Sequence, residues 1–126
     1  MKPSTQEGLR VLAEIRGEAA AKSMAEKIGA VGAQGALAEL SCDFVFAGVW
    51  SREGLSRAQR SLVTMGVLIA LGLTEELGNH LQAGLANGLS RQEIDEAIIQ
   101  AAPYAGLPAA WRAADRWRQI LGEHRG

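Results

Sequence analysis

Apolar positions along this chain recur at helical spacing, and nowhere do they alternate singly as in a half-buried strand. Alanine and leucine are abundant and β-branched residues scarce, which favours helices joined by short turns. The pattern predicts an all-α bundle of about seven helices, at about Thr5–Arg16, Glu18–Ile28, Gln34–Gly48, Arg57–Leu71, Glu75–Asn87, Arg91–Ala102 and Pro108–Leu121. Three starts carry a serine followed three residues later by Glu or Gln, the pattern of a capping box: Ser4 with Glu7, Ser56 with Gln59, and Ser90 with Glu93. Gly17, Gly72, Gly88 and Gly122 each follow a periodic segment and are expected to close it by adopting positive φ. The glycine-rich stretch Ile28–Gly35 is expected to be the mobile connection, and Trp50–Leu55 a loop entering the helix capped by Ser56.

The helix from Arg57 stands out. Beyond Arg60 it is apolar almost all round, through Leu62, Val63, Met65, Val67, Leu68, Ile69 and Leu71, and so asks for cover on every side. A small monomer can hardly provide that. Homo-oligomerisation is therefore expected, with neighbouring subunits covering part of this helix or the last helix with Trp111 and Trp117. The stretch Leu62–Leu73 is about a dozen residues, against roughly 20 for a bilayer span, which predicts a buried helix and no membrane anchor.

Composition narrows the picture. A chain of 126 residues suffices for one domain over residues 1–126. Thirteen basic and fourteen acidic side chains nearly cancel and form no runs, which argues against nucleic acid and membrane surfaces and leaves a small molecule as the expected partner. The lone Cys42 allows neither an internal disulfide nor a CxxC pair, so a reducing, cytoplasmic setting is expected, with the thiol buried and inert. The opening MKPSTQEGLR lacks the apolar run of a signal peptide. Two histidines and one cysteine, widely separated, give no metal-ligand spacing, and no GxGxxG or GxxxxGK[ST] pattern occurs, so no cofactor is expected.

Three residues could carry chemistry. His80 lies mid-helix, one turn after Glu76, which could orient it, and one turn before Gly84, which is expected to leave open space beside it. An imidazole there could pass a proton near neutral pH, or simply make a structural hydrogen bond on a partly exposed helix. Arg60, in the first turn of its helix, could offer a carboxylate a bidentate fork, or instead pair with Glu53, Glu75 or Glu76; Arg52 and Arg57 are weaker candidates. Tyr104 sits in PYAGLPAA, where Pro103, Pro108 and Gly106 predict a sharp turn between helices; its hydroxyl could donate to an oxyanion, or the ring could pack at the corner. Trp50, Glu76 and Trp111 complete the expected binding surface, while Phe44 and Phe46 read as core and His124 as a frayed tail.

These residues fall in one ordered text: WSREGL from Trp50, RSL from Arg60, ALG from Ala70, EEL from Glu75, then His80, NGLSRQEI from Asn87 and YAGLPAA from Tyr104. The text resembles the carboxymuconolactone decarboxylase family over roughly half the chain. The resemblance implies an alkylhydroperoxidase D-like helical fold, trimeric or hexameric assembly, and cofactor-independent conversion of 4-carboxymuconolactone to 3-oxoadipate enol-lactone in aromatic-acid degradation. It further implies that His80 transfers the proton, Arg60 anchors a carboxylate and Tyr104 assists the oxyanion. The peroxidases of the same superfamily need a CxxC pair where this chain has Leu73 and Glu76, so no thiol peroxidase is expected.

Departures from the family's text bear on the substrate. Leu12 and Ala13 stand where paired arginines are usual, Gly48 where a glutamate is usual, and Trp111 where an asparagine is common. They predict a drier pocket and a less charged small cyclic or keto acid. A non-catalytic helical oligomer binding a small apolar ligand is the contrasting expectation.

Overall fold

The computed structural model describes the backbone of residues 1–125 and the side chains of residues 1–123, so the side chain of His124 lies outside the described residues. Among the described residues there are seven α-helices and no strand: α1 (Pro3–Arg16), α2 (Glu18–Ile28), α3 (Ala33–Leu40), α4 (Arg57–Leu71), α5 (Thr74–Ala86), α6 (Arg91–Ala105) and α7 (Leu107–Arg125). A π-helical segment, Ser41–Trp50, continues directly from α3. No described helix is long and apolar enough to cross a membrane. The chain divides into two compact units, Met1–Leu55 and Ser56–Gly126.

In the first unit α1 packs against the π-helical segment and α2, and α2 against α3. The crossing is a backbone approach: a Cβ on Gly8 would stand 2.1 Å from the Cys42 carbonyl oxygen, so only glycine fits there. Val11, Leu12, Ile15, Cys42, Phe46 and Trp50 are buried. Ser4 does not cap a helix as expected. The helix begins earlier, at Pro3, whose fixed φ suits a first turn, and Lys2 is the N-cap residue. Ser4 Oγ donates instead to Asp43 Oδ1 at 3.0 Å, while Glu7 accepts from Arg10 Nε at 2.9 Å. Asp43 also accepts from Thr5 Oγ1 at 2.6 Å and pairs with Lys2 Nζ at 2.8 Å. These donors, Lys2 foremost and then Thr5, hold its carboxyl down at about 2. Cys42 is buried as expected, and burial, with a smaller push from Asp43, raises its thiol above the ordinary range.

The expected single helix Gln34–Gly48 therefore changes winding at Ser41, and Trp50 is its last residue and not the start of a loop. Phe44 is exposed, so only Phe46 of the two phenylalanines belongs to the core.

The second unit is joined by side chains. α4 packs on α5 and α6, and α7 on α4, α5 and α6. Met65, Ile69, Leu77, Leu81, Ile94 and Ile120 are central to one apolar core that also buries Trp117. The Ser56 and Ser90 capping boxes are both complete, with serine hydroxyls accepting from Gln59 N–H at 3.1 Å and Glu93 N–H at 3.0 Å. Gly72 adopts the left-handed conformation, φ 71° and ψ 23°; its N–H bonds to Ile69 O and that of Leu73 to Leu68 O, which closes α4. Gly17 and Gly88 also have positive φ. Gly122 does not, and lies within α7, because nothing at that exposed turn forces the chain to reverse. α6 runs past the expected stop at Ala102 and through Pro103. The carbonyl deprived of a donor by that proline belongs to Ile99, an exposed residue. Trp117 is 4% exposed, and its indole N–H donates to Asp95 Oδ1 at 2.8 Å, so its own chain covers it and no neighbouring subunit is needed.

Candidate functional site

The capping box fixes where α4 begins and hence where Arg60 emerges. Ser56 N–H donates to Gln59 Oε1 at 2.9 Å, and Arg60 N–H bonds to Ser56 O at 2.9 Å, which places Arg60 in the first turn. Its carbonyl accepts from Thr64 Oγ1 at 2.8 Å. The side chain is half-buried and its Nε is withdrawn from solvent. Arg57, one turn earlier, is also half-buried. Two guanidinium groups at a helix N-terminus, where the backbone dipole is positive, favour an anion.

Ser61, next to Arg60, is a residue that the sequence alone does not mark. Ser61 is wholly buried, and its Oγ makes no hydrogen bond among the described residues. A polar residue directly before the apolar run Leu62–Leu71 was the available signal; a lone serine is too common on helices to be read that way without burial.

His80 lies on α5, the helix packed against α4, between the buried Leu77 and Leu81. It is half-buried, with Nδ1 withdrawn from solvent, whereas Glu76 one turn earlier is exposed. The space expected beside Gly84 is not there. A Cβ on that glycine would meet Met65 Cε at 2.6 Å and Leu89 Cδ1 at 2.9 Å, so Gly84 accommodates neighbouring core side chains and opens no cavity.

The remaining candidates lie elsewhere. Gly106, with φ 98°, separates α6 from α7 as expected, and Tyr104 on the last turn of α6 is 85% exposed. Trp111 on α7 is 67% exposed and lines a shallow apolar groove of ≈ 300 Å³ with Ile98, Ile99, Ala102 and Leu107. A larger groove of ≈ 670 Å³ runs between α4 and α6, with Leu62, Gly66, Ala97 and Ala101 as its apolar floor and Glu93 and Glu96 at its rim. Trp50 is buried in the first unit. Arg60 and His80 are thus on adjacent packed helices, while Tyr104 and Trp111 border the α6–α7 turn.

Comparison with known proteins brings these helices under one description. Residues 35–119, well over half the chain, match the carboxymuconolactone decarboxylase family. A 4-carboxymuconolactone decarboxylase of Acinetobacter baylyi is 51% identical over 67 residues, which are 53% of this chain and 50% of that protein. Nitrosuccinic acid decarboxylase npaB of Metarhizium robertsii is 41% identical over 75 residues, 60% of this chain and 52% of that one. An uncharacterized 15.0 kDa protein of Paracoccus denitrificans is 32% identical over 80 residues, 62% and 60% of the two chains. The chain thus spans between 50% and 60% of the length of these relatives. On the match over residues 35–119, the chain belongs to the carboxymuconolactone decarboxylase family.

Proposed function

We propose that the chain is a cofactor-independent decarboxylase of a small cyclic or keto acid, 4-carboxymuconolactone or a related lactone, working in the cytoplasm. The observation that carries this reading is the withdrawal from solvent of Arg60 Nε and His80 Nδ1, on two helices packed together inside the matched region. Two relatives named as decarboxylases, whose names give different acids, support loss of CO₂ as the shared chemistry and leave the acid open.

In this reading Arg60 holds a substrate carboxylate through its fork. The bond from carbon to the departing carboxylate breaks, its electron pair moves onto the neighbouring carbonyl, and CO₂ leaves. Charge then gathers on the enolate oxygen, where a hydrogen-bond donor is worth most. His80 as imidazolium delivers a proton to carbon and regenerates the carbonyl. Tyr104 serves the oxyanion only if another surface covers it, so its role belongs with a further element of the proposal, assembly into a homo-oligomer. Val63, Val67 and Leu71 on α4, with Ile99, Leu107 and Trp111, are the exposed apolar residues that such an assembly would cover.

The test is turnover of 4-carboxymuconolactone and related lactones, followed by CO₂ release. His80→Gln should lower kcat by about 100-fold or more, and Arg60→Ala should act mainly on KM. Full turnover by His80→Gln would remove the proton-transfer role. A stable monomer by light scattering at micromolar concentration would remove the assembly. The apolar α6–α7 groove favours a second reading, a non-catalytic binder of a small apolar ligand. Absence of turnover together with quenching of Trp111 fluorescence by such ligands would select it.

A further inference from the structure

The groove between α6 and α7 has two ends of different character. At the end near Trp111 its walls are aliphatic or aromatic throughout, with Ile98, Ala102, Leu107 and Ala110 among them. Ile98, Ile99 and Ala114 also line a neighbouring hollow of ≈ 420 Å³, so the crevice runs on toward the start of α6. There Gln92, Asp95 and Glu96 join the wall, beside Trp117. No residue lining either stretch is basic. Apolar surface thus gives way to a pair of carboxylates within about one helical turn, from Ile99 back to Asp95.

The acidic end is open to a ligand, since Asp95 and Glu96 are both exposed. Asp95 accepts the Trp117 indole N–H through Oδ1 at 2.8 Å, which anchors the carboxyl and leaves Oδ2 outside that bond. Glu96 takes part in no ion pair among the described residues. The basic residues adjoining the groove in sequence, Arg91, Arg112, Arg116 and Arg118, line neither stretch. Two carboxylates repel an anion and attract an ammonium group. The groove therefore does not suit the acid that Arg60 would hold, and it calls for a ligand of the opposite charge.

We propose that the α6–α7 groove binds a small amphiphilic amine, with its apolar body between Ile98, Ile99 and Trp111 and its ammonium group at Asp95 and Glu96. The aliphatic stretch accounts for the body, and the unpaired carboxylates at one end account for the charge. The inference rests on the second reading above, in which this groove takes a small apolar ligand, and adds the charge that selects among such ligands. It is independent of the decarboxylase reading, since it uses neither Arg60 nor His80.

Hexylamine is the probe, with hexanol as its uncharged counterpart and hexanoate as its anionic one. Each is titrated into the whole protein near neutral pH while the indole N–H resonances are followed in ¹H–¹⁵N spectra. Trp111 and Trp117 report on the two ends of the groove, and Trp50, in the first unit, should stay still. Hexylamine is expected to move both reporters, with half-saturation below about 10 mM. It should bind about fivefold or more tightly than hexanol, and hexanoate more weakly than either. Asp95→Asn keeps an acceptor for the Trp117 indole and, combined with Glu96→Gln, should erase the difference between amine and alcohol. Equal binding of hexylamine and hexanol by the parent protein overturns the proposal and leaves the apolar-ligand reading standing, whereas no movement of either indole with any probe removes both. A preference for the amine that persists in the double variant also overturns it, because the ammonium group is then held elsewhere.

Discussion

The two units of this chain are held by different means. In Met1–Leu55 the central crossing brings backbone against backbone at Gly8 and Cys42, and a single carboxylate, Asp43, gathers Lys2, Ser4 and Thr5. In Ser56–Gly126 aliphatic side chains of four helices fill a common core, and two capping boxes and a left-handed glycine set the helix ends. A contact between backbones tolerates no added atom, whereas a core of flexible side chains can shift by fractions of an ångström. The first unit should therefore fail abruptly at one position and the second should weaken by degrees.

The largest effect should come from Gly8→Ala. Its methyl cannot coexist with the Cys42 carbonyl, so α1 must move, at a cost of about 3 kcal/mol or more in denaturant unfolding. A loss below about 1 kcal/mol would show that the crossing is not rigid. In the second unit Trp117→Phe removes the donor to Asp95 and leaves unfilled volume, for an expected loss of about 2 kcal/mol. Ser90→Ala should cost about 1 kcal/mol by opening its box. Gly66→Ala should have the opposite sign, since its Cβ would meet nothing within 4 Å; a gain of about 0.5–1 kcal/mol is expected from helix propensity.

The smallest expected difference is a change in pH response. Asp43 is held at about 2, below its ordinary 3.8, so the folded state binds its proton more weakly than the unfolded chain does. Its stabilisation is complete above 3.8 and is lost as pH falls toward 2. Asp43→Asn should flatten the stability profile across that window, and an unchanged slope would remove Asp43 as its source.

Much of the second unit was legible because its determinants are local. α4 has the bounds that periodicity predicts, and the boxes at Ser56 and Ser90 close within three residues. Ser4 and Glu7 carry the same pattern, yet Asp43, distant in sequence, takes the serine hydroxyl and Arg10 takes the glutamate. The same limit applies to the candidate site. His80 and Arg60 were legible as residue types at particular points of an ordered text, but the filling of Gly84 by Met65 and Leu89, and the burial of Ser61, depend on a neighbouring helix.

From sequence alone came the helical class, the family's ordered residues and the turn at Gly106, because spacing, capping and glycine conformation act over a few residues. Tertiary structure alone decided the π-helical winding from Ser41 to Trp50, the gathering of donors at Asp43, the cover over Trp117 and the closeness of Arg116 to Gly78. Each of these depends on how closely distant segments approach, and separations of that kind leave no period in the chain.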